Sequence, residues 1–211
     1  MYSCPKWTSL CASFWRRLGA NFSELRYGEV RRIYLLGTWV HRVGCRQLEV
    51  VRMVDEYVVH LAPVWRDQAA FIIHVRIDAD DPSRQKHWEQ LWVKQVDDKR
   101  FLVCCIPFFA YDIALADEVE TKPEGQKRYV VQRVVKDAGH YTFRVWFGES
   151  ADPTIREEVM DEVERSGCLF EWSSENLLVI SVEASRASEV ADHLYQQQQL
   201  SRLIYETGRT R

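Results

Sequence analysis

The sequence predicts an α+β chain: a small SH3-like β-barrel unit followed by a ferredoxin-like βαββαβ unit. Three observations lead there. Five short strand-patterned segments lie between residues 70 and 136 with no helical period among them. A second block, over residues 140–207, places strands and helices in the order β-α-β-β-α-β. Hydrophobic residues make up 46% and charged residues 28% of the 211, enough apolar material to bury a core and too much for disorder along the whole chain. The expected division is 1–52, a poorly patterned basic extension; 53–137, a β-rich barrel-like domain; and 138–211, a ferredoxin-like α+β domain.

Residues 1–52 carry eight Arg and one Lys against Glu24, Glu29 and Glu49, a balance of +6, so the net charge of -3 leaves -9 on the remainder. Trp7, Phe14 and Trp15 beside Arg16 and Arg17 fit one face of a short amphipathic helix. Arg31 to Val43 fits a strand or a buried helix, and periodicity does not decide between them. Rich in Arg, Trp and Cys and almost free of Lys, this segment suits a dispensable arm or a reading frame begun too early, with Met53 as the expected natural start. Met1 to Leu18 lacks a basic stretch followed by an apolar core and does not read as a signal peptide. No apolar run approaches the roughly 18 residues of a membrane span.

From Ala70 the pattern sharpens. Phe71, Ile73, Val75 and Ile77 alternate with Ile72, His74 and Arg76, which is a strand. Asp78 to Pro82 is a turn. Trp88 to Val96 is a second strand and Asp97-Asp98 the next turn. Arg100 to Ile106, apolar on both faces, reads as a central strand stopped by Pro107, whose nitrogen cannot donate to a ladder. Phe108 to Ala116 is an aromatic loop. Glu118 to Lys122 and Lys127 to Val135 are strands flanking the turn at Pro123, Glu124 and Gly125. In the second block, Tyr141, Phe143, Val145 and Phe147 point inward, Thr142 and Arg144 outward, and Trp146 breaks the rule. Asp152 caps a helix with Pro153 at its first position; Ile155, Val159 and Val163 form its stripe and Gly167 its stop. Cys168 to Trp172 and Leu177 to Glu183 are a hairpin. Ser185 is expected to cap a second helix, carrying Ala187, Val190, Ala191 and Leu194. Leu203 to Glu206 is a closing edge strand.

Chemistry is sparse. There is no Gly-x-Ser-x-Gly elbow, Walker loop, His-Glu-x-x-His or dinucleotide fingerprint. The six histidines, His41, His60, His74, His87, His140 and His193, lack ligand spacing, so no metal is expected. The six cysteines include no Cys-x-x-Cys pair. They read as small buried hydrophobes in a reducing cytoplasm. The acidic pairs Asp80-Asp81, Asp97-Asp98 and Asp117-Glu118 read as strand terminators facing water rather than as paired catalytic carboxylates. Catalytic residues and cofactors are accordingly expected to be none. Phe108, Phe109 and Tyr111, with Asp112 and Asp117 as polar anchors, either plug a barrel end or line a partner or ligand surface. Trp88 and Trp92, four apart on one strand face, pack in a core or cage a cation.

The run Glu89, Gln90, Leu91, Trp92, Val93, then Asp98 to Phe101, Ile106 to Ala110, Ala116 to Glu120 and Thr142 to Val145, resembles an uncharacterised bacterial family, the domain of unknown function 4265, over about residues 70–207. The resemblance implies its fold and a bacterial origin. It brings no activity and no site residues, because the family has none assigned, and residues 1–52 have no counterpart in it. Ala116 stands where the family usually has Gly, so the turn there is expected to differ, since positive φ strains any other residue.

The function expected is a non-catalytic cytoplasmic binding protein, such as an immunity protein neutralising a bacterial toxin. A body carrying -9 would steer a basic partner such as a toxin domain. The alternative is a small-molecule-sensing regulatory domain. Nucleic acid and membrane are not expected as partners, since a nucleic-acid binder needs a basic surface.

Overall fold

A computed structural model of the chain describes residues 35–38, 52–77, 87–125, 128–149 and 152–209. Within them lie two sheets and two helices, a mixed α+β fold made mostly of strands. The other residues of the basic N-terminal segment, with Trp7, Phe14 and Trp15, lie outside the described residues, as do the Asp80-Asp81 pair and the cysteines Cys4, Cys11 and Cys45.

The first sheet contains β1 (Leu35–Thr38), β2 (Arg52–Val59), β3 (Phe71–Arg76), β4 (His87–Gln95), β5 (Arg100–Val103), β6 (Glu118–Glu124) and β7 (Arg128–Lys136) in the order β1-β2-β4-β3-β7-β6-β5. β5 also pairs with β4, from Val93↔Val103 to Gln95↔Phe101. Strands β3 to β7 therefore close into a ring. β4 serves three partners along its nine residues. Its first half pairs with β2 in parallel, its middle with β3 and its end with β5. The β3–β7 seam is thin, a parallel pairing at His74↔Val130. Inside the ring, Leu91 and Val93 of β4 meet Ile73, Phe101, Val103 and Val119 in a dry core. Burying each such side chain contributes roughly 1.5–3 kcal/mol over leaving it exposed. The β4–β5 turn is held by Asp97, whose Oδ1 accepts from the amides of Lys99 and Arg100 at 3.0 and 2.8 Å. β1 falls within the stretch for which strand and helix competed, and it is a strand. β2 was not anticipated.

The second sheet contains β8 (His140–Trp146), β9 (Leu169–Ser174), β10 (Leu177–Glu183) and β11 (Ile204–Thr207), all antiparallel, in the order β11-β8-β10-β9. Helix α1 (Pro153–Arg165) begins as its sequence demands, with Asp152 Oδ1 accepting from the Thr154 amide at 3.0 Å and Pro153 opening the first turn. Gly167 ends it at φ +64°, the left-handed conformation a helix stop requires. Helix α2 (Ala187–Gln199) departs from expectation: Arg186, not Ser185, occupies the cap, and no side chain bonds there. The chain enters through tight turns, Arg186 N to Glu183 O and Ala187 N to Ala184 O. These place Ser185 one residue too early to cap.

Both helices cover one face of this sheet, around Phe143, Val145, Phe147, Val159, Val163, Leu178, Ile180 and Leu194. The opposite face corrects the sequence reading. Thr142 and Arg144, expected to face outward, are fully buried. The first unit covers that face through Ile106, Phe108, Phe109 and Leu115, packed on Leu177 and Val179. Trp146, which broke the alternation, packs into the same cluster. It faces a second core rather than water.

Candidate functional site

The segment from Cys104 to Asp117 passes between the two units, and among the described residues the buried Glu89, Arg144, Glu171 and Glu206 gather on it. Glu89 lies on the inward register of β4, beside Leu91, at the end of the barrel core. Its Oε1 accepts from the Phe108 amide at 2.5 Å, and its Oε2 from those of Phe109 and Ala110 at 3.0 and 2.7 Å. Three successive N–H groups thus converge on one carboxylate, just after Pro107, which has none to give. From the second sheet, Glu171 of β9 accepts at Oε1 from the amides of Ile106 and Val64 at 2.8 and 3.1 Å.

His60 stands between the two carboxyl groups. It follows β2, and its carbonyl is held by the Trp92 indole N–H at 2.9 Å. Its Nδ1 meets Glu171 Oε2 at 2.7 Å and its Nε2 meets Glu89 Oε1 at 3.0 Å. The ring stacks on Phe108, centroids 3.8 Å apart. Burial alone would lower the His60 pKa; the surrounding Cys105, Glu171 and Glu89 outweigh it and hold it well above its ordinary value. Both ring nitrogens then donate. Glu89 is the complement: burial would raise its pKa, but His60 and the Phe108 and Phe109 amides hold it below the usual carboxylate range. All three side chains are essentially sealed, at 0–2% exposure. The imidazolium is an ionic rivet between sheets, and the remaining lone pairs of the two carboxylates are met by backbone amides, as a buried ion pair requires.

The same loop is gripped from the other side. Arg144 of β8 donates from Nε to Phe108 O at 2.5 Å and from Nη2 to Ala110 O at 2.6 Å. Its Nη1 reaches Glu206 Oε1 of β11 at 3.1 Å. The guanidinium lies 4.4 Å over the Tyr111 ring, whose hydroxyl donates to Glu206 at 2.9 Å. Residues 108–110 therefore present their N–H groups to an anion of the first unit, and Phe108 and Ala110 present their carbonyls to a cation of the second.

A cysteine, a histidine and carboxylates in contact form the raw material of a nucleophilic site. Here burial raises the pKa of the Cys105 thiol against the opposing pull of His60, and the residue is fully buried. Both imidazole nitrogens are already committed to carboxylates. The arrangement joins the two units. Among the described residues no group of three or more His, Cys, Asp or Glu side chains is placed to hold a metal ion.

The residues singled out from sequence distribute around this junction. Phe108 and Phe109 are buried between the units, at 2% and 7% exposure. Tyr111 joins the Arg144–Glu206 network. Asp112 takes positive φ (57°) and its amide donates to Gly208 O at 2.8 Å. Asp117 is buried, which raises its pKa, and it accepts from the amides of Ala114 and Ala138 at 2.9 and 2.8 Å. Ala116 keeps the left-handed conformation, φ +67°, with its amide on Val103 O at 2.9 Å. The turn expected to differ thus retains positive φ without glycine, because the Val103 and Asp117 bonds on either side hold it. Trp88 and Trp92 are four apart on β4; Trp88 is buried with Tyr57 and Val130, Trp92 packs against the barrel core, and the chain supplies a cation to each: Arg128 lies 4.6 Å over Trp88 and Arg66 lies 4.0 Å over Trp92. Sequence reasoning missed His60, Glu89, Glu171, Arg144 and Glu206. The available signal was Glu89 on the same strand phase as Leu91 and Val93.

The model of the family described as a domain of unknown function, DUF4265, matches residues 89–203. The chain belongs to this family. Its DUF4265 region opens at Glu89 itself and includes Glu171 and Arg144, while His60 and Glu206 lie outside it. No curated protein matches the chain. Among solved structures, a hypothetical protein from Neisseria gonorrhoeae is similar at 20% identity and a TM-score of 0.54, over 65% of this chain and 94% of that one. That likeness concerns the fold.

Proposed function

We propose that this DUF4265 protein is a non-catalytic cytoplasmic binding protein whose partner is a basic protein, such as a toxin domain that it neutralises. The observation carrying this reading is where the charges lie. The groups with catalytic potential are spent on holding the two units together, whereas the acidic groups face outward on the helix layer. Glu157, Asp161 and Glu164 are exposed at helical spacing along α1. No basic side chain pairs with them among the described residues. Unpaired carboxylates on a rigid helix steer a cationic partner and set the salt dependence of its binding.

We also read the two units as an SH3-like barrel and a ferredoxin-like domain. The β3-to-β7 ring supports the first assignment. The second rests on βαββαβ order with the last strand beside the first and the third between the first and the second. The test of function is affinity capture with the full chain, followed by calorimetry on the purified partner. One basic protein bound stoichiometrically, with affinity falling steeply with salt, is the expected result. The alternative is a small-molecule-sensing regulatory domain. A bound metabolite in native mass spectrometry, with no protein partner, would select it.

A further inference from the structure

The second sheet treats its two edges differently. At β11, alternation turns the Tyr205 N–H away from β8, and Gln198 of α2 closes it, Oε1 accepting at 3.1 Å. At β9 no such cover is present among the described residues. β10 spends the backbone groups of its even-numbered residues on β8, as the flanking bonds from Phe147 N to Asn176 O and from Ala184 N to Gly139 O require. Its odd-numbered residues therefore face β9, where Val179 meets Glu171 and Ser181 meets Leu169. The N–H and C=O of Phe170 and Trp172 then point away from the sheet, since antiparallel bonding alternates along a strand, and no partner meets them among the described residues. The β-bulge of this pairing falls at the hairpin end and leaves Leu169 to Trp172 regular.

A row of unpaired backbone groups is a template for another strand, and natural edges are guarded by lysine, proline or a covering element. β9 reads Leu-Phe-Glu-Trp-Ser-Ser, with neither lysine nor proline. Its one charge, Glu171, is buried and spent on His60 and on the amides of Ile106 and Val64. Apolar surface flanks the edge on both faces of the sheet. Trp172, stacked on Phe147, is 38% exposed on the helix side, and Leu169 is 38% exposed on the barrel side. Leu61, 71% exposed, lies on the loop that His60 and Val64 tie to Glu171.

We propose that β9 is a dimer edge: two copies of the chain join β9 to β9 in antiparallel fashion about a two-fold axis at Glu171, with the N–H and C=O of Phe170 bonding those of Trp172 in the second copy. One sheet then runs through both copies, the addition of a strand to an open edge. This register uses the free groups of each edge and no others. It sets Phe170 beside Trp172 of the second copy on the helix side, an aromatic cross-strand pair. The two Glu171 carboxylates that approach at the axis are each already neutralised by their own His60. Charge selects a second copy as the occupant. Residues 53–211 sum to -9, so two copies repel over most of that surface, whereas β9 exposes no charge. An edge that must match itself under two-fold symmetry is best served by neutrality. A basic partner would be drawn to the acidic helix face instead, so the dimer edge stands apart from the function proposed above.

The experiment follows the full chain by sedimentation over a range of protein concentrations and records amide hydrogen exchange at the same concentrations. The expected result is a monomer–dimer equilibrium in which the Phe170 and Trp172 amides slow as the dimer fills, while the Tyr205 amide, closed within one chain, keeps a single rate. Trp172→Lys should weaken association by about tenfold or more, the usual loss for a central aromatic side chain of an interface. An unshifted far-ultraviolet spectrum checks its fold, and Leu169→Lys, on the other face of the same edge, repeats the test if that variant fails to fold. Tyr195→Lys, beside Tyr205 at the opposite edge and 52% exposed, should leave association unchanged. A chain that stays monomeric up to the millimolar range would overturn the proposal. So would a dimer whose Phe170 and Trp172 amides exchange at the monomer rate, or one that both lysine variants of the edge leave intact.

Discussion

His60→Ala tests the ionic rivet directly. The substitution removes the cation that pairs with both Glu89 and Glu171 and leaves two carboxyl groups facing each other in a sealed junction. The losses can be worked from the contacts. Two hydrogen bonds to charged groups disappear, at 3.0 and 2.7 Å, each worth about 1.5–3 kcal/mol. Five backbone amides still serve the carboxyl groups, which keeps the cost from growing further. The expectation is therefore the about 3–5 kcal/mol usual for removing one member of a buried ion pair. A domain holds about 5–15 kcal/mol in all. At about 2–4 °C per kcal/mol for a chain of this size, the midpoint should fall by roughly 6–20 °C.

The pH profile supplies a second, independent readout. The folded-state pKa of His60 is raised, so its contribution is fully present below its unfolded value near 6.5 and is lost as pH rises through the raised value. Glu89 is lowered. Its contribution is present above its unfolded value near 4.5 and is lost as pH falls through the lowered one. The wild-type midpoint should thus hold across neutral pH and decline on the alkaline side, and His60→Ala should lack that His60-linked decline. Calorimetry of both proteins across the range decides. A loss below about 1 kcal/mol, or an identical alkaline decline in both, would refute the rivet.

Three further outcomes follow from the same junction. Ala116→Gly should raise stability by about 0.5–1 kcal/mol, because the left-handed backbone costs alanine about 1–2 kcal/mol and glycine's added chain entropy returns only about 0.5–1 kcal/mol of that; a lower melting temperature would show that the methyl group packs. Phe108→Ala should cost about 3–5 kcal/mol in urea unfolding, since the ring fills the inter-unit core and covers His60; a cost near zero would mark it as a surface residue. Arg144→Met should strip donors from the carbonyls of Phe108 and Ala110 and leave Glu206 uncompensated, a loss of about 3–5 kcal/mol; hydrogen exchange should quicken first at the Phe108, Phe109 and Ala110 amides, and unchanged protection there would refute the two-sided grip.

Much of the fold was legible because its signals are local. Asp152-Pro153 and Gly167 bracket α1 by backbone chemistry that involves no distant residue. The β9–β10 hairpin and the β8 alternation likewise declare themselves within a few positions. β2 did not, since Asp55 and Glu56 interrupt its alternation and its partner, the first half of β4, lies some thirty residues on and runs parallel. The site was the least legible part. His60 is 29 positions from Glu89 and 111 from Glu171. No local spacing announces a contact assembled from two sheets.

What the sequence does carry is a parity clue, and its weight depends on how many layers a sheet touches. Alternation assigns residues to two faces, but it does not say that the polar face meets water. On β8 that face holds Thr142, Arg144 and Trp146, and it is covered by the first unit. A solvent face accepts lysine and glutamate freely and has no use for tryptophan, so Trp146 among the outward positions was the mark of a second covering layer. The same logic applies to Glu89, on the phase of Leu91 and Val93. A carboxylate on an apolar phase must find compensation inside, and here the chain supplies it with three successive amides and an imidazolium. Polar residues out of place in an otherwise clean strand pattern therefore point to a junction between units, because only there are backbone groups of an irregular loop available to satisfy them.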